Sequence, residues 1–149
     1  MFIMNAQAYL DLQEKHREEM NNFPIAYAFN DKQLEEALVK LGVKSSKECV
    51  TVFGHGDIVK RENAPKFVAM LKRHTKEIQE LMLSNEEIAE AAFLYELDNH
   101  EYAINWDGDE DVLSCFGWGY AELDELGLED AYMRAVRKHM KHAEEWGMI

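Results

Sequence analysis

The run Val50-Thr51-Val52-Phe53-Gly54-His55-Gly56-Asp57-Ile58-Val59-Lys60 decides the fold class. Its flanks are β-branched and aromatic, and its centre sets two glycines beside His and Asp, residues suited to the positive φ of a tight turn. A β-hairpin is predicted, so the chain is not all-helical. Upstream, Ile25-Ala26-Tyr27-Ala28-Phe29 follows Pro24 and is short, apolar and aromatic enough for a further strand. Asn30 or Asp31 then caps a helix carrying Leu34, Ala37, Leu38 and Leu41, which Gly42 ends.

The remainder reads as helix. Asn5 is placed to cap a helix whose Tyr9, Leu12, Gln13, His16 and Met20 recur at three and four residues until Asn22 and Pro24 stop it. Asn63 and Pro65 open a long helix with Phe67, Leu71, His74, Ile78 and Leu81 on one face. Ser84-Asn85-Glu86-Glu87 reads as a capping box, starting a helix with Ile88, Ala91, Ala92 and Tyr95 inward that frays near Asn99. Trp106-Asp107-Gly108-Asp109 reads as a turn, and Val112, Leu113 and Phe116 as a short helix. A final helix, from about residue 128 to 146, is expected to bury Met133, Val136, Met140 and Ala143 and to turn Arg134, Arg137, Lys138 and Lys141 outward. No repeat or linker interrupts the 149 residues, so one domain over 1–149 is expected. Its class is α+β: five or six helices packed around a small antiparallel β-hairpin or three-stranded sheet.

Charge narrows the function. Sixteen Lys and Arg against 29 Asp and Glu give a net charge of −13. From Glu77 to Met133, 57 residues hold 17 acids and no Lys or Arg, while the other 92 carry 16 bases and 12 acids. Such a field repels nucleic-acid phosphates and attracts cations, basic protein surfaces, or grooves that normally hold nucleic acid. The plain alternative is an acidic face that keeps a small protein in solution. No apolar run approaches the roughly 18–20 residues that span a bilayer, and no basic leader precedes Asp11, so a cytoplasmic protein without a membrane partner is expected. Cys49 and Cys115 form no C-x-x-C pair and have no obvious His or Asp setting in the sequence.

Three segments in order, Ala26 to Gln33 ending in Lys40-Leu41-Gly42, Gly54-His55-Gly56 followed by Ile58-Val59-Lys60, and Glu96-Leu97-Asp98-Asn99-His100-Glu101-Tyr102 ahead of Leu113 and Phe116-Gly117, resemble small uncharacterised proteins carried by bacteriophages and mobile elements of Gram-positive bacteria. The likeness spans roughly residues 5–118. It implies a genetic setting and no catalytic residues.

Two constellations carry chemistry. Glu96, Asn99 and His100 stand at i, i+3 and i+4 and share a face if the helix continues. With Glu101, and with His55 and Asp57 from the glycine turn, Glu96 and His100 compose the site of a small metal-dependent hydrolase. The competing reading is a helix C-terminus whose histidine balances the dipole. Asp107-Gly108-Asp109-Glu110-Asp111 alternates carboxylates like a calcium loop, but Val112 and Trp118 occupy the positions where an EF-hand needs Gly and Glu, so no dedicated metal site and no cofactor are expected. The leading expectation is a binding module rather than an enzyme. Its patch interleaves Asp107, Asp109, Glu110, Asp111, Glu122, Asp124 and Glu125 with the anchors Trp106, Trp118 and Tyr120. The expected partner is a host protein with a basic surface, without direct nucleic-acid contact. In a phage setting that means a nuclease, such as a CRISPR effector or restriction enzyme, inhibited by DNA mimicry. Most of the carboxylates between Glu86 and Glu125 are expected to be solvent-exposed on one side of the fold, because burying so many without local bases is costly.

Overall fold

The computed structural model describes residues 2–100, 102 and 108–147. Among them are seven α-helices and three strands in the order α1 (Phe2–Asn22), β1 (Ile25–Tyr27), α2 (Asp31–Leu41), β2 (Cys49–Val50), β3 (Asp57–Lys60), α3 (Ala64–Ser84), α4 (Glu86–Asn99), α5 (Gly108–Ser114), α6 (Tyr120–Glu125) and α7 (Glu129–Glu145). The α+β class follows directly. Contacts divide the chain into two compact units, residues 15–74 and residues 1–14 with 75–149. No helix among the described residues is long and apolar enough to cross a membrane.

The first unit holds the sheet, antiparallel in the order β1-β3-β2. Ile25 pairs with Val59 and Tyr27 with Asp57, while Val50 meets Val59 from the other side. Ala26 and Ile58 join Ala37, Leu41 and Cys49 in one cluster, and Ile25 and Val59 join Phe23 and Phe67 in another. The strands therefore bury residues of both parities, which is why they read as continuous apolar runs instead of alternating ones. The cap of α2 is as predicted: Asn30 accepts from the Gln33 N–H at 2.8 Å, and Gly42 adopts φ 72° to close the C-terminus. Its neighbouring turn needs Gly56 at φ 84°, where a Cβ would stand 2.5 Å from the Phe29 ring.

The predicted strand over Val50–Phe53 is shorter than expected. The N–H groups of Val52 and Phe53 donate to the Asp57 carboxylate, at 2.7 Å and 3.2 Å, so they leave the ladder. Asp57 also accepts from Thr51 Oγ1 and from the His55 N–H. Burial alone would push its carboxyl up, but these donors hold it below the usual carboxylate range.

The second unit is built on α4. Ala89, Ala91, Ala92, Phe93, Leu94 and Leu97 are all buried, together with Glu90 and Glu96, so nearly the whole circumference of this helix is interior. Around it lie Tyr9, Met82, Val112, Leu113, Phe116, Leu123 and Tyr132. Phe93 meets Phe116 and Tyr132 edge-on, with ring centroids 5.1 Å and 5.2 Å away.

Four sequence expectations are corrected. Helix α1 begins at Phe2, ahead of Asn5, so Asn5 is not its cap. Asn85 alone caps α4, accepting from the N–H groups of Glu87 and Ile88, because Ser84 closes α3 and donates to the Leu81 carbonyl. Tyr95 is exposed, its ring lying edge-on to Tyr9. On α7, Met133 and Met140 face solvent, and the buried side is Ala131, Tyr132, Ala135, His139 and Ala143. That face holds two polar groups, Tyr132 and His139, because each finds a half-buried carboxylate partner, Asp109 and Asp98.

Candidate functional site

Most of the described carboxylates between Glu86 and Glu125 are exposed, namely Glu86, Glu87, Glu110, Asp111, Glu122, Asp124 and Glu125, whereas Asp98 and Asp109 are half-buried and Glu90 and Glu96 are buried. Helix α7 neutralises two carboxylates of α4: Arg134 bonds both Glu86, at 2.9 Å, and Glu90, and Lys138 reaches Glu90 at 2.5 Å. Burial alone would push the Glu90 carboxyl up, and the Lys138 and Arg134 bonds reverse this, leaving it below the usual range. Asp98 receives the buried His139 Nδ1 at 2.7 Å and His142 Nδ1 at 3.1 Å. The basic stripe is thus partly committed, with Arg137 and Lys141 exposed beside it.

Asp109 has a similar fate. The hydroxyls of Tyr120 and Tyr132 donate to its two oxygens, and Tyr102 lies beside the same carboxylate. Burial, then Asp109, pushes all three phenols up, Tyr120 and Tyr132 well above their ordinary value. Asp109 is therefore a hub for three tyrosines, one of them from α7, and not a free contact residue. Trp118 is also buried, stacked on Phe116 at 6.1 Å.

What remains of the predicted patch is a groove. Glu110, Asp111, Leu113 and Ser114 of α5 face Trp118, Gly119 and Tyr120 across a space of about 380 Å³. The Tyr120 ring is 57% exposed although its hydroxyl is held. Glu122 anchors the start of α6 by accepting from the Gly119 N–H at 3.1 Å, and Glu122, Asp124 and Glu125 are exposed. Four of the ten residues predicted for partner contact, Glu110, Asp111, Trp118 and Tyr120, thus line one concavity. Trp106 and Asp107 lie outside the described residues, as does Glu101 of the other candidate site.

The Glu96–His100 pair is real. Helix α4 runs through to Asn99, and His100 Nε2 lies 3.3 Å from Glu96 Oε2. The anticipated companions are otherwise engaged: Asp57 serves its own turn, and His55 is exposed on that turn in the unit of residues 15–74. Instead Cys115, just past α5, brings Sγ to 3.5 Å from His100 Nε2 and within 4.8 Å of a Glu96 carboxylate oxygen, and donates to the Asp111 carbonyl at 3.4 Å. Burial and the Glu96 carboxylate push the Cys115 thiol up to about 12. Tyr9 of α1 stands beside the pair: burial and the Glu96 charge push its phenol up, and its hydroxyl accepts from Gln13 Nε2 at 2.8 Å. The sequence reading gave Cys115 no histidine or acidic setting. Fifteen residues separate it from His100, with no fixed spacing to reveal the contact.

Residues 8–141 match a family of unknown function, DUF7659. No curated protein and no solved structure matches the chain. An uncharacterised family is what the resemblance of its segments implied.

Proposed function

We propose, for a chain that belongs to the DUF7659 family and takes no assigned activity from it, that it is an acidic protein-binding module. The contact site is the groove of α5 and α6, and the partner offers a Lys- or Arg-bearing surface. The supporting observation is the convergence of Glu110, Asp111 and Tyr120 on one concavity walled by Trp118. Exposed carboxylates supply attraction and orientation at long range, and the exposed face of Tyr120 offers an incoming cation a π surface. Glu122, Asp124 and Glu125 extend the negative rim along α6. The same rim repels nucleic-acid phosphates. If the genetic setting is that of a phage, a host nuclease with a basic groove, a CRISPR effector or a restriction enzyme, is the partner class. The alternative, a small metal-dependent hydrolase, has the Glu96–His100 pair in its favour.

Binding of an arginine-rich peptide, measured by calorimetry at two ionic strengths, tests the groove. Screening shortens from about 10 Å at 0.1 M salt to about 3 Å at 1 M, so wild-type affinity is expected to fall steeply between them. The variant E110Q/D111N/D124N/E125Q is expected to bind more weakly at low salt and to lose most of that dependence. Glu122 and Asp109 are left intact because they hold the local structure. Equal binding by the variant and the wild type at both salt concentrations removes the groove as the contact site.

A further inference from the structure

The second unit contains three chemically different donors that meet although they come from two separate segments. Glu96 and His100 lie one turn apart on α4, Cys115 follows α5, and one ligand atom from each lies within 4.8 Å of the other two. Metal bonds of about 2.0–2.3 Å at tetrahedral angles require donor-to-donor edges of about 3.3–3.8 Å. The observed edges from His100 Nε2 are 3.3 Å to Glu96 and 3.5 Å to Cys115. We propose that Glu96, His100 and Cys115 form a three-ligand site for a zinc-class divalent transition metal. It is independent of the α5–α6 groove and carries no assumption about a protein partner.

The donor chemistry selects the metal. A thiolate and an imidazole favour zinc-class ions over calcium or magnesium, which prefer cages of oxygen. A carboxylate and a thiolate together balance a dication, so the occupied site is electroneutral, with the thiol proton passing to solvent on binding. That balance suits the location, since Glu96 has only 5% of its side chain exposed. The Tyr9 hydroxyl, itself fixed by Gln13, stands beside the Glu96 carboxylate. Three protein ligands leave one tetrahedral position for water, and His100, 31% exposed, gives the route from solvent. Such a site has the composition that a catalytic centre needs and that a closed structural site, with four protein ligands, lacks.

Cobalt(II) titration of the chelator-treated protein tests this. One equivalent is expected to produce a sulfur-to-cobalt charge-transfer band in the near ultraviolet together with intense visible d–d bands, and zinc(II) is expected to bleach both. Cys115→Ser should abolish the charge-transfer band and weaken binding at least about 100-fold. Cys49→Ser, a change at the cysteine buried in the unit of residues 15–74, should leave the spectrum as it is. Because Glu96 is buried and its variants are liable to unfold, the inference rests on Cys115→Ser, with circular dichroism confirming that it is folded. No band at one equivalent in the folded wild type, or an unchanged spectrum in Cys115→Ser, overturns it.

Discussion

Phe93→Ala is expected to lower the unfolding free energy by about 3–5 kcal/mol, the range for removing a fully buried aromatic ring. Phe93 is completely buried at the middle of α4, and two rings, Phe116 from the segment after α5 and Tyr132 from α7, meet it edge-on. Deleting it opens a cavity between three elements that cannot all close at once, so the cost includes the void as well as the lost transfer energy. Chemical denaturation followed by far-ultraviolet circular dichroism measures the effect as a lower midpoint at unchanged slope. A loss below about 1 kcal/mol would mean that α4 is not the axis of this unit.

Asp57→Ala is expected to cost about 2–3 kcal/mol at neutral pH, on the scale of hydrogen bonds to a charged group. Its carboxylate receives Thr51 Oγ1 and the N–H groups of Val52, Phe53 and His55, so alanine strands four donors in one turn. The pH dependence has a definite sign. Because the folded protein holds this carboxyl below its unfolded value of about 3.9, the stabilisation is fully present above that value and disappears as pH falls through the lower folded one. The difference in stability between wild type and Asp57→Asn is therefore expected to be constant from pH 7 to about 5 and to shrink below about 4. A difference that widens on acidification would contradict the assigned role.

Local signals were legible where the interaction is local. Asn30 and Gly42 bound α2 through contacts within four residues, and Gly54-His55-Gly56 turns the chain between β2 and β3. Glu96 and His100 were paired by helical spacing alone. Phase was harder to read on α7. Hydrophobicity favours Met133 and Met140 for the interior, but Tyr132 and His139 take those places because Asp109 and Asp98 satisfy their polar atoms. A buried polar group is tolerated when its partner is present, and the partners lie 23 and 41 residues away. The α6 helix, only six residues long, carries too little periodicity to separate from its surroundings.

The sequence by itself determined the class of the fold, the caps and turns, the concentration of acid between Glu77 and Met133, and the Glu96–His100 pair. These depend on spacings of a few residues, which helix and turn geometry convert directly into distances. Tertiary structure decided which charges stay in solvent. Arg134 and Lys138 close on Glu86 and Glu90 across 44 to 48 residues, and three tyrosines close on Asp109, so a segment that reads as uniformly acidic presents only part of its charge outward. Tertiary structure also brought Cys115 to His100, turning a helix-end pair into a three-donor cluster. The physical reason is the same in both cases. Burial removes water as the alternative partner, so each interior charge or polar atom must be answered by whichever distant residue the packing of α4, α5 and α7 delivers to it.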